Sequence, residues 1–116
     1  MGNPFTEPEI ILCTYIARFG RDMFREYDIV RVQNRSESSI KMKVQNIAAM
    51  LDEEGYEYSP EVSKLSGLST GKTGRRTNWS IVKHLVELNK KELEEKCIEI
   101  LDATKKKELE NYAKLK

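Results

Sequence analysis

The residues best suited to chemistry lie between Arg35 and Gln45. Arg35, Lys41 and Lys43 are types that bond guanine edges or phosphate, Gln45 can pair with adenine, and Ser36, Ser38 and Ser39 can reach either. A helix N-terminus at Ser36 adds its own attraction for phosphate. The same residues would also suit the solvated face of an ordinary helical bundle. A second group lies in Ser66 to Asn78, SGLSTGKTGRRTN, where Lys72, Arg75 and Arg76 stand within five residues. Basic segments of this kind follow a nucleic-acid backbone or enter a minor groove. Gly67 to Thr73 comes close to a phosphate-binding P-loop. That motif needs four residues between its first glycine and Gly-Lys-Thr, however, and here there are three. No apolar strand leads into it, so nucleotide hydrolysis is not expected. His84 is the single histidine and lies on a helical stretch with no nucleophile or carboxylate suggested beside it. General acid–base catalysis needs such a partner. The residues therefore point to a binding module rather than an enzyme, with no cofactor and no metal.

The formal net charge of +1 conceals blocks. Arg18 to Lys43 holds seven bases and four acids, Val44 to Ser63 five acids and no base, and Lys64 to Lys91 seven bases against Glu87. Blocks of this kind create local potentials that a net figure hides. Two basic blocks suit a phosphate backbone, and duplex DNA is the expected partner. The other reading is a protein-interaction module, such as a small phage- or mobile-element-encoded inhibitor or adaptor. Its basic blocks would meet an acidic protein surface, or its C-terminal helix would hold a protein partner.

Helices must position these groups. Pro8 and Glu9 suit a first helical turn; Ile11, Leu12, Tyr15, Ile16 and Phe19 follow at helical spacing, and Gly20 stops the run. A shorter helix is expected over Asp22–Gln33, with Met23, Phe24, Tyr27 and Val30 as its apolar set. The third, over Ser36–Glu54, is the clearest. Ser36 caps it, Gly55 ends it, and Ile40, Val44, Ile47 and Leu51 form a buried stripe beside Ala48. Ser59-Pro60-Glu61 suggests a brief helix carrying Val62 and Leu65. Trp79 opens another helix, with Ile81, Val82, Leu85, Val86 and Leu88. There the indole is expected to anchor the core rather than stack on bases. Asn89 and Glu92 form a second capping pattern before an arm bearing Leu93, Cys97, Ile100 and Leu101. The expected fold class is all-α: a helix-turn-helix-like domain over residues 8–88 and a C-terminal helical extension over 89–116.

Arg35-Ser36-Glu37-Ser38-Ser39-Ile40-Lys41-Met42-Lys43-Val44-Gln45-Asn46-Ile47 resembles the R-S-x-x-S-I-x-x-K-x-x-N run of a family of small helical domains. These precede the nuclease domain in some bacterial HNH restriction-type endonucleases. The resemblance covers roughly residues 8 to 88 and includes the upstream aromatic helix and the downstream Trp79. It implies a DNA-binding attachment in which Arg35, Ser36, Ser39, Lys43 and Asn46 matter. Ser39 would cap the helix or bond phosphate, and Asn46 would fasten the helix to a neighbouring backbone. The chain departs from that family in lacking the nuclease, because one histidine cannot build a two-histidine site. It would be a stand-alone relative or one domain of a longer protein.

No stretch approaches the ~20 apolar residues that span a bilayer. The N-terminus lacks the basic start and apolar core of an export signal, so a cytoplasmic protein is expected. Gly2 and Thr6 fit the short myristoylation pattern, but no polybasic segment follows at once. Cys13 and Cys97 lie in apolar helical patterns without zinc spacing and are expected as buried, reduced thiols.

Overall fold

The computed structural model describes residues 4–63 and 78–115, and every regular element among them is a helix. Helix α1 (Glu7–Phe19) starts on a capping box that Pro8 alone does not reveal. Thr6 Oγ1 accepts the Glu9 N–H at 3.4 Å, and the Glu9 carboxylate accepts the Thr6 N–H at 2.9 Å. Gly20 ends the helix at φ +89°, its N–H bonded to the Ile16 carbonyl at 2.8 Å. A Cβ there would run into the Glu61 carboxylate and the Ser59 hydroxyl, so glycine both turns the chain and lets the 59–61 turn dock.

Helix α1 is the centre of the fold. Ile10, Leu12, Cys13, Tyr15, Ile16 and Ala17 are all fully buried, together with Glu9 and Thr14. It touches α2 (Glu26–Gln33), α3 (Glu37–Glu53), α4 (Trp79–Leu85) and α5 (Lys90–Leu115). Each large aliphatic side chain removed from water there contributes about 1.5–3 kcal/mol. Helix α3 packs on α1 through the expected seam of Ile40, Val44, Ile47 and Leu51, all buried. Its second half goes further: Ala48 and Met50 join the same core, the flexible thioether filling irregular space, and Ala49 is buried as well.

Two expectations need correction. Helix α2 starts at Glu26 rather than Asp22. The Asp22 carboxylate is instead drawn to the Tyr15 hydroxyl at 2.8 Å and Lys90 Nζ at 2.6 Å. Because Met23 and Phe24 precede the helix, its inward residue is Ile29, while Tyr27 is exposed. Ser59-Pro60-Glu61 makes a single turn, with the Val62 N–H on the Ser59 carbonyl and the Ser59 N–H on the Ala17 carbonyl. Backbone bonding to α1 thus replaces the short helix through Val62; Leu65 lies outside the described residues. Asn89 and Glu92 do exchange the capping bonds, at 2.8 and 2.9 Å. The helix they open nevertheless buries Leu93 and Cys97 in the same core and leans Ile100 and Leu101 against it. Only from Lys105 onward is α5 an exposed arm.

Trp79 is half-buried against the core, Cys13 and Cys97 are free and buried, and His84 is exposed. Among the described residues no helix is long and apolar enough to cross a membrane.

Candidate nucleic-acid interface

The start of α3 is set by a three-residue connection from α2. Asn34 takes the left-handed conformation, φ 56°, and its N–H closes α2 on the Val30 carbonyl. Asparagine tolerates this backbone better than most residues. The Arg35 N–H bonds the same carbonyl at 3.2 Å. Ser36 then caps α3, its hydroxyl accepting the Ser39 N–H at 3.3 Å and donating to Ser39 Oγ at 2.8 Å. The serine pair is thus engaged in holding the helix end.

Arg35 points inward, away from solvent. Its Nε and Nη2 grip both oxygens of Glu9 at 2.7 and 2.9 Å, and Nη2 also reaches the Pro4 carbonyl at 3.1 Å. The guanidinium lies 4.0 Å from the Phe5 ring centroid. Glu9 is wholly buried and Arg35 nearly so. One carboxylate therefore joins the first turn of α1 to the residue before the α3 cap. Burial alone would push the Glu9 carboxyl up, but the hydrogen bonds from Arg35 and Thr6 outweigh it and hold the group below its ordinary value. Lys43 is also buried, its ammonium 5.4 Å from the Phe5 ring centroid. Desolvation pulls its pKa down. Both expected contact residues, Arg35 and Lys43, thus turn toward the protein rather than onto the outward face of α3. Their cations order the N-terminal segment and the helix behind the face.

The outward face of α3 keeps Ser38 and Lys41, with Met42 59% exposed and Gln45 half-exposed. Lys41 Nζ is 3.4 Å from Glu37 one turn earlier. Beside it, a groove of about 270 Å³ separates the starts of α2 and α3, lined by Arg21, Arg25, Glu26, Tyr27, Glu37 and Lys41. Arg21 is neutralised by the buried Glu26, which it meets with two bonds of 2.8 and 2.7 Å. Arg25 is exposed, and its guanidinium has no carboxylate partner among the described residues. The sequence does not single out Arg25, and it assigns Tyr27 to the apolar set of α2, whereas Tyr27 is exposed. Arg25 is the residue before α2, and the misplaced helix start hid its position across from Lys41. Asn46 is half-buried. Lys72, Arg75 and Arg76, with the rest of the expected basic loop up to Thr77, lie outside the described residues.

Comparison with known protein families, with characterised proteins and with solved structures finds no match to this chain.

Proposed function

We propose that the chain is a non-catalytic DNA-binding module that lays the first turns of α3 against duplex DNA. The observation that carries this reading is the arrangement at the α2–α3 corner. Two short capped turns fix a helix whose buried side is locked by the Glu9–Arg35 pair, while Ser38, Lys41, Met42 and Gln45 face outward. A helix of this kind fits a major groove, where its polar residues meet base edges and its methionine meets thymine methyls. Arg25 and Lys41 flank the face and supply phosphate contacts that set its register. The likeness of the Arg35–Ile47 run to the DNA-binding attachments of HNH endonucleases supports the same assignment. On sequence grounds Lys72, Arg75 and Arg76 add phosphate contacts.

Fluorescence anisotropy against mixed-sequence duplexes tests the reading. Affinity should fall as salt rises. Arg25→Ala with Lys41→Ala should flatten the log–log salt slope by about 2, near 0.9 for each lost phosphate contact. A parent protein with no salt-dependent affinity, or a double variant that binds like the parent, refutes the assignment of this face.

A further inference from the structure

Helix α5 carries large apolar side chains that are exposed at the surface of the domain. Ile98, Leu109 and Tyr112 are 44%, 62% and 59% exposed. At 3.6 residues per turn they fall in one stripe about 60° wide, roughly 110° round the helix from the face that buries Leu93 and Cys97. Every residue from Lys105 to Lys114 is exposed. A 4.0 Å contact between Arg31 and Glu108 ties the arm to α2 on a different side from the stripe.

Along this stripe Ile98, Asp102, Lys105 and Leu109 are spaced four, three and four residues apart. The spacing is its own mirror image, and the residue types alternate in the matching sense: apolar, acid, base, apolar. Two such helices laid antiparallel about a two-fold axis between Ala103 and Thr104 bring Ile98 opposite the partner's Leu109 and Asp102 opposite the partner's Lys105. Symmetry repeats both pairs, as an isologous contact requires. The same register sets Tyr112 opposite the partner's Glu95. We infer that this stripe is a self-association surface and that its occupant is a second copy of the chain, held antiparallel by two apolar pairs and two ion pairs. A seam from one helix per copy falls at the small end of specific interfaces, so the dimer is concentration-dependent and weakens with salt.

Sedimentation velocity over a concentration series reaching the millimolar range, at low salt, reads this directly. Asp102 and Lys105 are exposed, so their variants keep the fold, which circular dichroism verifies. The parent should pass from monomer to dimer. Asp102→Lys and Lys105→Asp should each raise the dimer Kd about tenfold, since two exposed attractions become two repulsions. An equal mixture of the two variants should recover the parent's Kd, because each then faces its complement in both pairs. A parent that stays monomeric overturns the inference and leaves the stripe to a different protein. Single variants that dimerise like the parent overturn it too, as does a mixture that fails to recover.

Discussion

Arg35 and Lys41 stand six residues apart on either side of the α3 cap, each paired with a glutamate, and the two pairs have opposite consequences. The side chains of Arg35 and Glu9 are 13% and 0% exposed and come from distant parts of the chain. Those of Lys41 and Glu37 are 56% and 49% exposed and lie one turn apart. The first pair fixes where α3 sits. The second leaves a cation available to a partner. Charge type alone does not distinguish them; the surroundings of each cation do.

The largest effect should come from the inner pair. Arg35→Ala leaves the Glu9 carboxylate buried without its cation, at a cost of about 3–5 kcal/mol. Urea unfolding should show this as a lower midpoint at an unchanged slope. Arg35→Lys should recover only part of it, because an ammonium cannot match both carboxylate oxygens. If Arg35→Ala cost no more than Lys41→Ala, the contrast between the pairs would be wrong.

Acid should narrow that gap. The Glu9 carboxyl is held below its ordinary 4.5, so below that pH the unfolded chain binds more protons than the folded one. The stability supplied by the pair is present in full above about pH 4.5 and is lost as pH falls through the folded value. In Arg35→Ala the lone buried Glu9 is instead relieved by protonation. Melting temperatures across a pH series should therefore converge for parent and variant under acid, and parallel curves would rule out the pairing as the cause.

Ser36→Ala should cost about 1 kcal/mol, the usual value of a lost N-cap. Hydrogen exchange should quicken first at the start of α3, between the two pairs. Lys41→Ala should be the mildest, within about 0.5 kcal/mol of the parent in stability, since an exposed pair one turn apart contributes only a few tenths. The same variant should weaken duplex binding, which Ser36→Ala should leave closer to the parent.

The seam of α3 was legible because Ile40, Val44, Ile47 and Leu51 keep helical spacing behind a serine cap, and periodicity reports a buried stripe well. It reports all-round burial poorly. Nothing in the spacing of Ile11, Leu12, Tyr15, Ile16 and Phe19 distinguishes a helix lying on the core from α1, which runs through it. The start of α2 was misplaced because Asp22, a sound cap by type, is held by Tyr15 and Lys90 from elsewhere in the chain. At the candidate site, Ser38, Lys41 and Gln45 do lie on the outward face. Lys43 stands about 70° from the centre of the buried seam, close enough for its alkyl chain to be covered. Arg35 precedes the cap, where a helical wheel has no authority, and its partner Glu9 is 26 residues away.

The central place of α1 also bears on how the chain is made. Among the described helices it is the first to be synthesised, yet part of its cover is Leu93 and Cys97 of α5. Roughly 75 residues separate its end from that cover, which at ribosomal speeds of 5–20 residues per second amounts to a delay of about 4–15 s. Throughout that interval the described residues offer α1 the shelter of α2, α3, the 59–62 turn and then α4, but not of α5. A nascent chain stalled before Leu93 would carry an open flank on its central, most buried helix, a surface suited to chaperones and prone to aggregation.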